Sequence, residues 1–241
     1  AGAASAQSSV TLYGVVDASI GNIKDTLSAT ATKITDRQNT VDSSSMRNSR
    51  WGVKGSEDLG NGLKANFVLE QGFMTDTGAV SATKGHGGTT DGFNREANVG
   101  VSGNFGAVKL GRVYSAYDDA RALTNNTADH NFAATRDVWN TTGSKDYNIR
   151  FDNAVRFDSA VYNGFSGAVA YGFGENKETG KDANNIFALH VQYVNGPLAV
   201  AYAHQNEKQQ TVDSNKFNLI GASYDFGVAK LTGSYNKVKA A

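Results

Sequence analysis

The sequence predicts an all-β fold: an antiparallel up-and-down β-barrel that crosses a membrane. Three observations predict this fold class. Apolar and polar residues alternate with a period of two over many short segments, short turns alternate with long polar loops, and the composition favours strands joined by turns. The 241 residues include 27 Gly, 10 Tyr and 12 Phe but a single Pro.

The alternation is clear in residues 149–158. Phe151 and Phe157 fall on one face of this segment, and Arg150 and Arg156 fall on the other. Successive side chains of a strand point to opposite faces, and a membrane barrel meets lipid on one face only. The apolar set is therefore expected to face lipid or a partner subunit. The same parity assigns to this outer face Trp51, Val53, Phe151, Phe157, Phe165, Tyr171, Phe187 and Leu189.

The connections between the expected strands differ systematically in length. Short turns are expected near 58–62, 104–106, 162–164, 195–197 and 225–227. Long polar loops are expected near 22–43, 73–92, 114–146, 175–184 and 207–215. Outer-membrane barrels carry short turns on one side of the membrane and long loops on the other. Strict alternation of the two lengths therefore favours such a barrel over a soluble sandwich.

The segments between these connections are about eleven expected strands. They fall at 8–20, 44–57, 62–72, 93–104, 106–113, 147–159, 163–174, 184–194, 197–206, 215–225 and 228–238. Most approach the ~10 residues that a tilted strand needs to cross a bilayer. No apolar run approaches the ~18 residues of a membrane helix, so a helical membrane protein is excluded.

Composition and charge exclude several functions. With 23 basic and 23 acidic residues the chain has no basic excess for binding nucleic acid, and without Cys it has no thiolate site. The four His are scattered, and no nucleophile, phosphate-loop or metal motif has the required spacing. The sequence therefore predicts no enzyme activity, no cofactor, no metal site and no nucleic-acid partner.

The first residues have the pattern that ends a secretory signal. Ala4-Ser5-Ala6 fits the small-residue site that precedes signal-peptide cleavage. Residues 1–6 are therefore expected to be the remnant of a signal peptide, and residues 7–241 are expected to form one barrel domain. A flexible Ala-rich tail is the alternative interpretation of residues 1–6.

Three stretches resemble the Gram-negative trimeric general-diffusion porins. Residues 9–17, SVTLYGVVD, resemble the first strand of that family. Residues 49–65, SRWGVKGSEDLGNGLKA, resemble its second and third strands with the turn between them, and residues 99–112, VGVSGNFGAVKLGR, resemble its fourth and fifth strands. The resemblance implies a homotrimer of sixteen-stranded barrels in the outer membrane, among lipid and lipopolysaccharide. It also implies passive diffusion of small hydrophilic solutes and ions through a water-filled channel.

The resemblance further implies that the third long loop folds inward and narrows the pore. Here that loop is 114–146, and it carries Asp118 and Asp119. Both carboxylates would face the basic side of the constriction. By the same resemblance that basic side is Arg50, Arg95 and Arg150, with Lys54 and Arg112 nearby.

Strand parity adds further pore-lining candidates. A charge that faces lipid at mid-bilayer costs about 2–4 kcal/mol for Arg or Lys, so charged strand residues are expected to face the lumen. Arg112 is an exception, since alternation with Val108 and Leu110 points it outward. Because the Arg residues outnumber the acids at the constriction, a mild anion preference is expected. The full set of pore-lining candidates is Asp17, Arg50, Lys54, Glu70, Arg95, Arg112, Asp118, Asp119, Arg150 and Arg156.

The sequence departs from the porin pattern in two respects. About eleven strands are expected here against sixteen in the family. The chain also ends in Lys237-Val238-Lys239-Ala240-Ala241, not in a strand with a terminal Phe or Trp. The barrel domain is therefore expected to be incomplete at its C-terminus.

Two other functions stay open at this point. A soluble β-barrel or β-sandwich that binds a ligand requires an apolar interior, whereas the expected inward faces carry charged and amide side chains. A membrane-embedded hydrolase requires Ser and His near one barrel rim, and the sequence shows no motif for it.

Overall fold

The computed structural model describes residues 9–29, 32–81, 92–123, 147–181, 183–210 and 213–239. The expected signal remnant and residues 124–146 of the expected inward loop lie outside this part of the chain. Within it the fold is almost entirely β, as predicted, with thirteen strands and one helix. No helix in the described ranges has both the length and the apolar character needed to cross a membrane.

The elements follow one another along the chain with few irregular segments. The strands are β1 Ser9–Val15, β2 Ala18–Ala29, β3 Thr32–Ser43, β4 Arg50–Gly60, β5 Leu63–Gly72, β6 Glu96–Gly103, β7 Gly106–Tyr114, β8 Arg150–Ser159, β9 Phe165–Gly172, β10 Ile186–Asn195, β11 Leu198–Glu207, β12 Asn215–Asp225 and β13 Lys230–Lys239. The helix, α1, spans Ala116–Leu123, between β7 and β8.

Eleven strands form one antiparallel up-and-down sheet. Their order is β1-β4-β5-β6-β7-β8-β9-β10-β11-β12-β13, so each strand from β4 onward pairs with the next one along the chain. β2 and β3 form a separate two-stranded sheet. Over the residues described, β1 and β13 do not pair with each other, and the sheet is open along these two edges. The prediction of about eleven up-and-down strands is confirmed.

The first long connection differs from the prediction. The sequence predicts a loop over 22–43, whereas Thr32–Ser43 pairs with Ala18–Ala29 as a hairpin. Across this hairpin, Asn22 Nδ2 donates to Asn39 Oδ1 at 2.6 Å. Apolar and polar residues show no sustained alternation within 18–29 or 32–43, so the period-two pattern does not mark this hairpin in the sequence.

The expected first strand, 8–20, is interrupted at Asp17. The Asp17 N–H donates to the Ser49 hydroxyl at 2.9 Å, and that hydroxyl donates back to the Asp17 carbonyl at 3.0 Å. The Ser49 side chain thus takes the place of a strand partner at this position. As a result the expected second strand, 44–57, begins only at Arg50.

The two faces of the large sheet differ in chemistry, as the alternation predicts. On the face away from α1, here called the convex face, Leu12 is 72% exposed and Ile220 is 54% exposed, and Trp51 is exposed as well. On the face against which α1 packs, here called the concave face, charged side chains such as Glu70 and Arg156 are buried. A soluble domain places apolar residues inside and charges outside, so this inverted arrangement is typical of a wall with lipid on one side and a polar interior on the other.

Aromatic side chains gather at both ends of the convex face. At the end with the short turns, ring centroids lie 4.7 Å apart for Phe165 and Tyr193 and 4.6 Å apart for Tyr224 and Phe226. At the other end, contacting ring pairs are Trp51–Phe93 and Tyr171–Phe173. Aromatic girdles of this kind mark the two membrane–water interfaces of outer-membrane barrels.

Phe151 corrects one prediction of the alternation. Asn153 has a φ of 50°, and this left-handed residue interrupts the regular alternation within β8. Arg150 and Phe151 are consequently both buried, and Phe151 has no exposed surface. The expectation that Phe151 faces lipid is wrong, because the irregular backbone turns it into the apolar cluster on the concave face. Beyond the irregularity, Phe157 is exposed, as predicted.

The helix α1 lies on the concave face and packs against β9, β10, β11 and β12. Its residues Ala116, Tyr117 and Ala120 are fully buried in this contact. The wall beneath the helix has small side chains, which let a helix approach a sheet closely. These wall residues are Ala168, Ala170, Ala188, Ala201 and Ala203.

Candidate functional site

Local sequence explains why α1 forms where it does, on the concave face of the sheet. The hydroxyl of Ser115 accepts a hydrogen bond from the Tyr117 N–H at 3.0 Å, which caps the helix at its first turn. Asp118 and Asp119 follow in that turn, where carboxylates interact favourably with the helix dipole, and Arg121 lies in the last turn. The sequence from Ser115 to Asp118 therefore favours a helix that starts immediately after β7.

Both ends of the connection that carries α1 contact one pair of side chains on β11. The Ser115 hydroxyl donates to Gln205 Oε1, and Gln205 Nε2 donates to the Asn148 carbonyl at 3.0 Å. The Asn148 N–H donates to Glu207 Oε1 at 2.7 Å. Because Gln205 is fully buried, these bonds are shielded from water and fix both ends of the connection to one strand.

An ion pair connects α1 to β8, the strand next to the four strands on which the helix packs. The carboxylate of Asp119 pairs with the Arg156 guanidinium on β8. Arg156 Nε also donates to Asp158 Oδ1 at 2.9 Å, and Lys109 Nζ lies 3.0 Å from Asp158 Oδ2. Burial raises the pKa of the Asp119 carboxyl above its ordinary value, and Arg156 opposes that rise.

A second charge cluster lies near the end of the sheet that carries the long loops. Glu70 on β5 receives two guanidinium groups: Arg95 Nε lies 2.6 Å from Glu70 Oε1, and Arg50 Nε lies 3.4 Å from Glu70 Oε2. One carboxylate thus forms ion pairs with two arginines. Glu70 and Arg95 are both buried, so the pair is held with little freedom.

Tyr114, the last residue of β7, contacts the arginines beside this cluster. Its phenol oxygen accepts hydrogen bonds from Arg95 Nη2, at 2.7 Å, and from Arg150. The Arg150 guanidinium carbon also lies 4.2 Å from the centroid of the Tyr114 ring, which is a cation–π contact. The Tyr114 carbonyl accepts from Arg156 Nη1 at 2.9 Å.

The first charge cluster and Tyr114 border a common cavity. Its volume is about 220 Å³, and it lies between the concave face of the sheet and α1. A space of this size with charged walls accommodates water and small ions. The lining residues are Glu96, Lys109, Val113, Tyr114, Asp119 and Arg156.

The structure brings together most of the expected basic side of the constriction. Arg50, Arg95 and Arg150 lie in one cluster around Glu70 and Tyr114. Lys54 is exposed, and its Nζ lies 5.3 Å from the centroid of the Tyr13 ring. These contacts give each candidate a defined place on the sheet, and their constriction role stays a prediction.

Arg112 and Asp118 have partners other than those expected. Arg112 is buried, pairs with Asp152, and donates from Nε to the Asn94 carbonyl at 2.8 Å. Asp118 pairs with Arg121 of its own helix at 3.1 Å, and it accepts from the Tyr147 hydroxyl. Of the two acids expected to face the basic wall, Asp119 is the one with a contact to a wall arginine.

Asp17 binds a backbone segment. Its carboxylate accepts hydrogen bonds from the N–H groups of Ser45, Met46 and Arg47, at 2.9, 3.2 and 3.0 Å. Together with the bonds of its carbonyl, these contacts hold the residues before β4 against the end of β1. Asp17 thus stabilises the segment before β4, at the end of the sheet that carries the long loops.

Three residues of this region were not among the pore-lining candidates. Tyr114, Lys109 and Asp158 all contact the candidate arginine and acid residues. Parity places Lys109 and Asp158 on the same face as Arg156 and would have found them. No sequence signal marks Tyr114, because its contacts depend on the register of β7 against β8. Among the residues described, no group of His, Asp or Glu side chains has the arrangement of a metal site.

Comparison with known proteins decides the family. The model of the family described as Gram-negative porin matches residues 1–241, the whole chain. The chain belongs to the Gram-negative porin family. This porin is 33% identical over 251 residues to outer membrane porin protein 32 of Delftia acidovorans, and 31% identical over 264 residues to an outer membrane porin protein of Bordetella pertussis. The predicted outer-membrane location is confirmed by these relatives.

This porin chain spans slightly less than two thirds of the length of these two relatives. The alignments include 99% and 98% of this chain but 66% and 65% of the Delftia and Bordetella proteins. A solved structure titled anion-selective porin from Comamonas acidovorans matches with a TM-score of 0.74 and 30% identity, over 96% of this porin and 68% of that chain. OmpF of Salmonella typhi, solved with daunomycin, shares the fold, with a TM-score of 0.64 and 18% identity over 95% of this porin and 66% of that chain.

Proposed function

We propose that the full-length protein forms a water-filled channel in the outer membrane, through which small hydrophilic solutes and ions diffuse passively. One observation carries the proposal: apolar side chains cover the convex face of the sheet, while charged side chains line the concave face beside an inward helix. A wall between lipid and water requires this division. Passive diffusion needs neither a cofactor nor a catalytic group.

The balance of charge on the concave face favours anions. Arg50 and Arg95 share the single carboxylate of Glu70. Within the described part of the chain, no carboxylate lies within ion-pair distance of Arg150. Glu96, on the same wall, offsets part of this positive surplus, so the expected preference for anions is mild.

Apart from Lys54, whose Nζ lies over the Tyr13 ring, the remaining positive candidates are balanced locally. Arg156 and Lys109 are matched by Asp119 and Asp158, and Arg112 is matched by Asp152. The surplus is therefore concentrated around Glu70 and Tyr114. The solved neighbour that is named an anion-selective porin supports the same sign of preference.

These positions support the proposed constriction. Arg50, Arg95 and Arg150 form its basic side, with Lys54 and Arg112 nearby, and Asp119 faces Arg156 across the cavity. The proposed surroundings are outer-membrane lipid and lipopolysaccharide on the convex face. The proposed assembly is a homotrimer, by resemblance to the general-diffusion porins.

Planar lipid bilayers test the channel directly. The full-length protein, folded in detergent, is added to a bilayer, and current is recorded under a salt gradient. We expect stepwise conductance increases and a reversal potential with the sign of anion permeation. Folded protein that inserts into the bilayer and passes no current would contradict the proposal.

A charge variant separates selectivity from channel formation. Arg150→Gln removes the arginine that lacks a carboxylate partner, and Lys181→Gln removes a lysine whose exposed partner is Glu178. The first substitution is expected to lower the anion-to-cation permeability ratio, and the second is expected to leave it unchanged. Equal ratios for both variants and the unmodified protein would contradict the proposed origin of the anion preference.

A further inference from the structure

Arg150 is an unusually placed cation. Its side chain is buried, with 6% of the residue exposed, and it has no carboxylate within ion-pair distance in the part of the chain that is described. Its Nε has no hydrogen-bond partner there either. The protein contacts that hold this guanidinium come from Tyr114, through the phenol oxygen and the face of the ring.

The Tyr114 phenol oxygen lies between two neighbouring cations, Arg95 and Arg150, and reduces the repulsion between them. Burying a charge without a partner is strongly unfavourable, and two guanidinium groups at close range repel each other. The phenol oxygen accepts from Arg95 and from Arg150 at once, so it places partial negative charge between them. Arg95 also has Glu70, whereas Arg150 depends on Tyr114 alone for a hydrogen-bond acceptor among the described residues.

Tyr114 is tied to the rest of the site through its backbone. Its carbonyl accepts from Arg156 Nη1 at 2.9 Å, and the next residue, Ser115, caps α1. One residue at the end of β7 therefore contacts three of the arginines that line the concave face and adjoins the start of the inward helix. Its hydrogen bonds join Arg95, Arg150 and Arg156 into one group.

We infer that Tyr114 is a positioning residue for anion selectivity. It holds the Arg150 guanidinium, which has no described carboxylate within ion-pair distance, at a fixed place on the concave face beside Arg95. The inference rests on the proposed channel function. It states that anion selectivity depends on where the Arg150 charge is held, as well as on whether the charge is present. Tyr114 acts through Arg150 and needs no contact with the permeating ion.

The test compares single and double variants of the full-length protein in planar bilayers. Tyr114→Phe keeps the ring and removes the phenol oxygen. The anion-to-cation permeability ratio is expected to fall by about twofold, the order of change that moving one unbalanced charge away from a narrow passage produces. Since Tyr114 acts through Arg150, adding Tyr114→Phe to Arg150→Gln should lower the ratio no further than Arg150→Gln alone.

A matched control removes a phenol oxygen elsewhere on the inward segment. The Tyr117 hydroxyl donates to Asn236 Oδ1 at 2.8 Å. Tyr117→Phe is therefore expected to leave the permeability ratio unchanged. Far-UV circular dichroism and resistance of the oligomer to detergent check that every variant is folded.

Arg150→Lys gives a second measurement that does not depend on the folding of the Tyr114 variant. Lysine keeps the charge but lacks the planar group that lies on the Tyr114 ring. The inference predicts a reduced permeability ratio for this variant, although its charge is unchanged. An unmodified channel that selects anions, combined with unchanged ratios in Tyr114→Phe and Arg150→Lys, would overturn this inference alone. Absence of anion selectivity in the unmodified channel would instead overturn the proposed anion preference.

Discussion

Asp119 of α1 and Arg156 of β8 form an ion pair that reaches across the cavity on the concave face. The helix itself packs against β9 to β12, so this pair connects it to a strand beyond its main contact. The pair thus ties the helix to the basic wall, and in the proposed channel its two charges would contribute to the field that a permeating ion meets.

Removing the acidic partner of this pair should strengthen anion selectivity. In Asp119→Asn the side chain keeps its shape and loses its charge, while Arg156 keeps Asp158 as a partner. We expect the anion-to-cation permeability ratio to rise by about twofold, because one negative charge leaves the narrow region. Reversal potentials under a salt gradient measure the ratio.

The matched control for Asp119→Asn is Glu178→Gln. Glu178 Oε2 lies 2.6 Å from Lys181 Nζ in an exposed ion pair between β9 and β10. This substitution also removes one carboxylate, but at the surface, where water and salt screen the charge. The ratio should stay at its original value, and a rise equal to that of Asp119→Asn would argue against a local effect.

The pH dependence of selectivity should follow Asp119. Because burial raises the pKa of its carboxyl, Asp119 binds a proton at a higher pH than an ordinary aspartate does. Lowering the pH therefore neutralises Asp119 before the exposed carboxylates, and anion selectivity should increase in that range. His190 Nδ1 lies 3.7 Å from Asp119 Oδ2 and can also gain charge on acidification. Because Asp119 also acts on the protonation of His190, the aspartate is isolated by comparing pH titrations of reversal potentials in His190→Gln and in the His190→Gln/Asp119→Asn double variant. The increase should shrink in the double variant, and identical pH profiles would contradict its assignment to Asp119.

The alanine wall beneath α1 should not tolerate larger side chains. Ala201 on β11 is buried against the helix. Ala201→Leu would force the helix away from the wall and is expected to lower the free energy of unfolding by about 1–3 kcal/mol. Denaturant titration in detergent measures this loss, and single-channel conductance should change with it.

Ala222 on β12 provides the comparison for the wall substitution. It pairs with Val200 on the convex face and is exposed. In Ala222→Leu the added side chain enters lipid rather than a packed contact, so stability and conductance should be preserved. If both leucine variants behaved alike, close packing between α1 and the wall would not explain the result.

Asp17 should matter for stability and not for selectivity. Asp17→Ala removes the carboxylate that accepts from three backbone N–H groups of residues 45–47. The expected loss of unfolding free energy is about 1–2 kcal/mol, because the Ser45 N–H loses its acceptor in a part-buried position, while the exposed N–H groups of Met46 and Arg47 can bind water instead. Limited proteolysis should show faster cleavage within 44–49. A large change in permeability ratio, with the cleavage rate unchanged, would instead favour the pore-lining role predicted from the sequence.

The parts of the fold that lipid and water dictate could be predicted from the sequence. Leu12, Trp51 and Ile220 lie on the convex face because lipid selects apolar side chains at every second position. The eleven strands of the large sheet follow from this pattern and from the short turns. The hairpin of β2 and β3 has no sustained alternation of apolar and polar residues, so this pattern does not predict it.

The site could be predicted in its residue types and less well in its contacts. Parity correctly assigns Glu70 and Arg156 to the concave face. It fails for Phe151, because the left-handed backbone of Asn153 changes the alternation within β8. It also says nothing about Tyr114, whose contacts depend on where β7 ends relative to Arg150. Such partners follow from strand register and backbone irregularities, which a two-residue periodicity does not encode.

The place where α1 packs has a consequence for the route of a solute. Since the small wall residues let the helix pack closely on β9 to β12, α1 occupies that side of the concave face in the described part of the chain. Arg50, Arg95 and Arg150 lie on the other side, at β4, beside β6 and at β8. In the proposed channel, a solute displaced from the centre by α1 would pass close to these guanidinium groups, so a few fixed charges on one side would act on every solute that crosses.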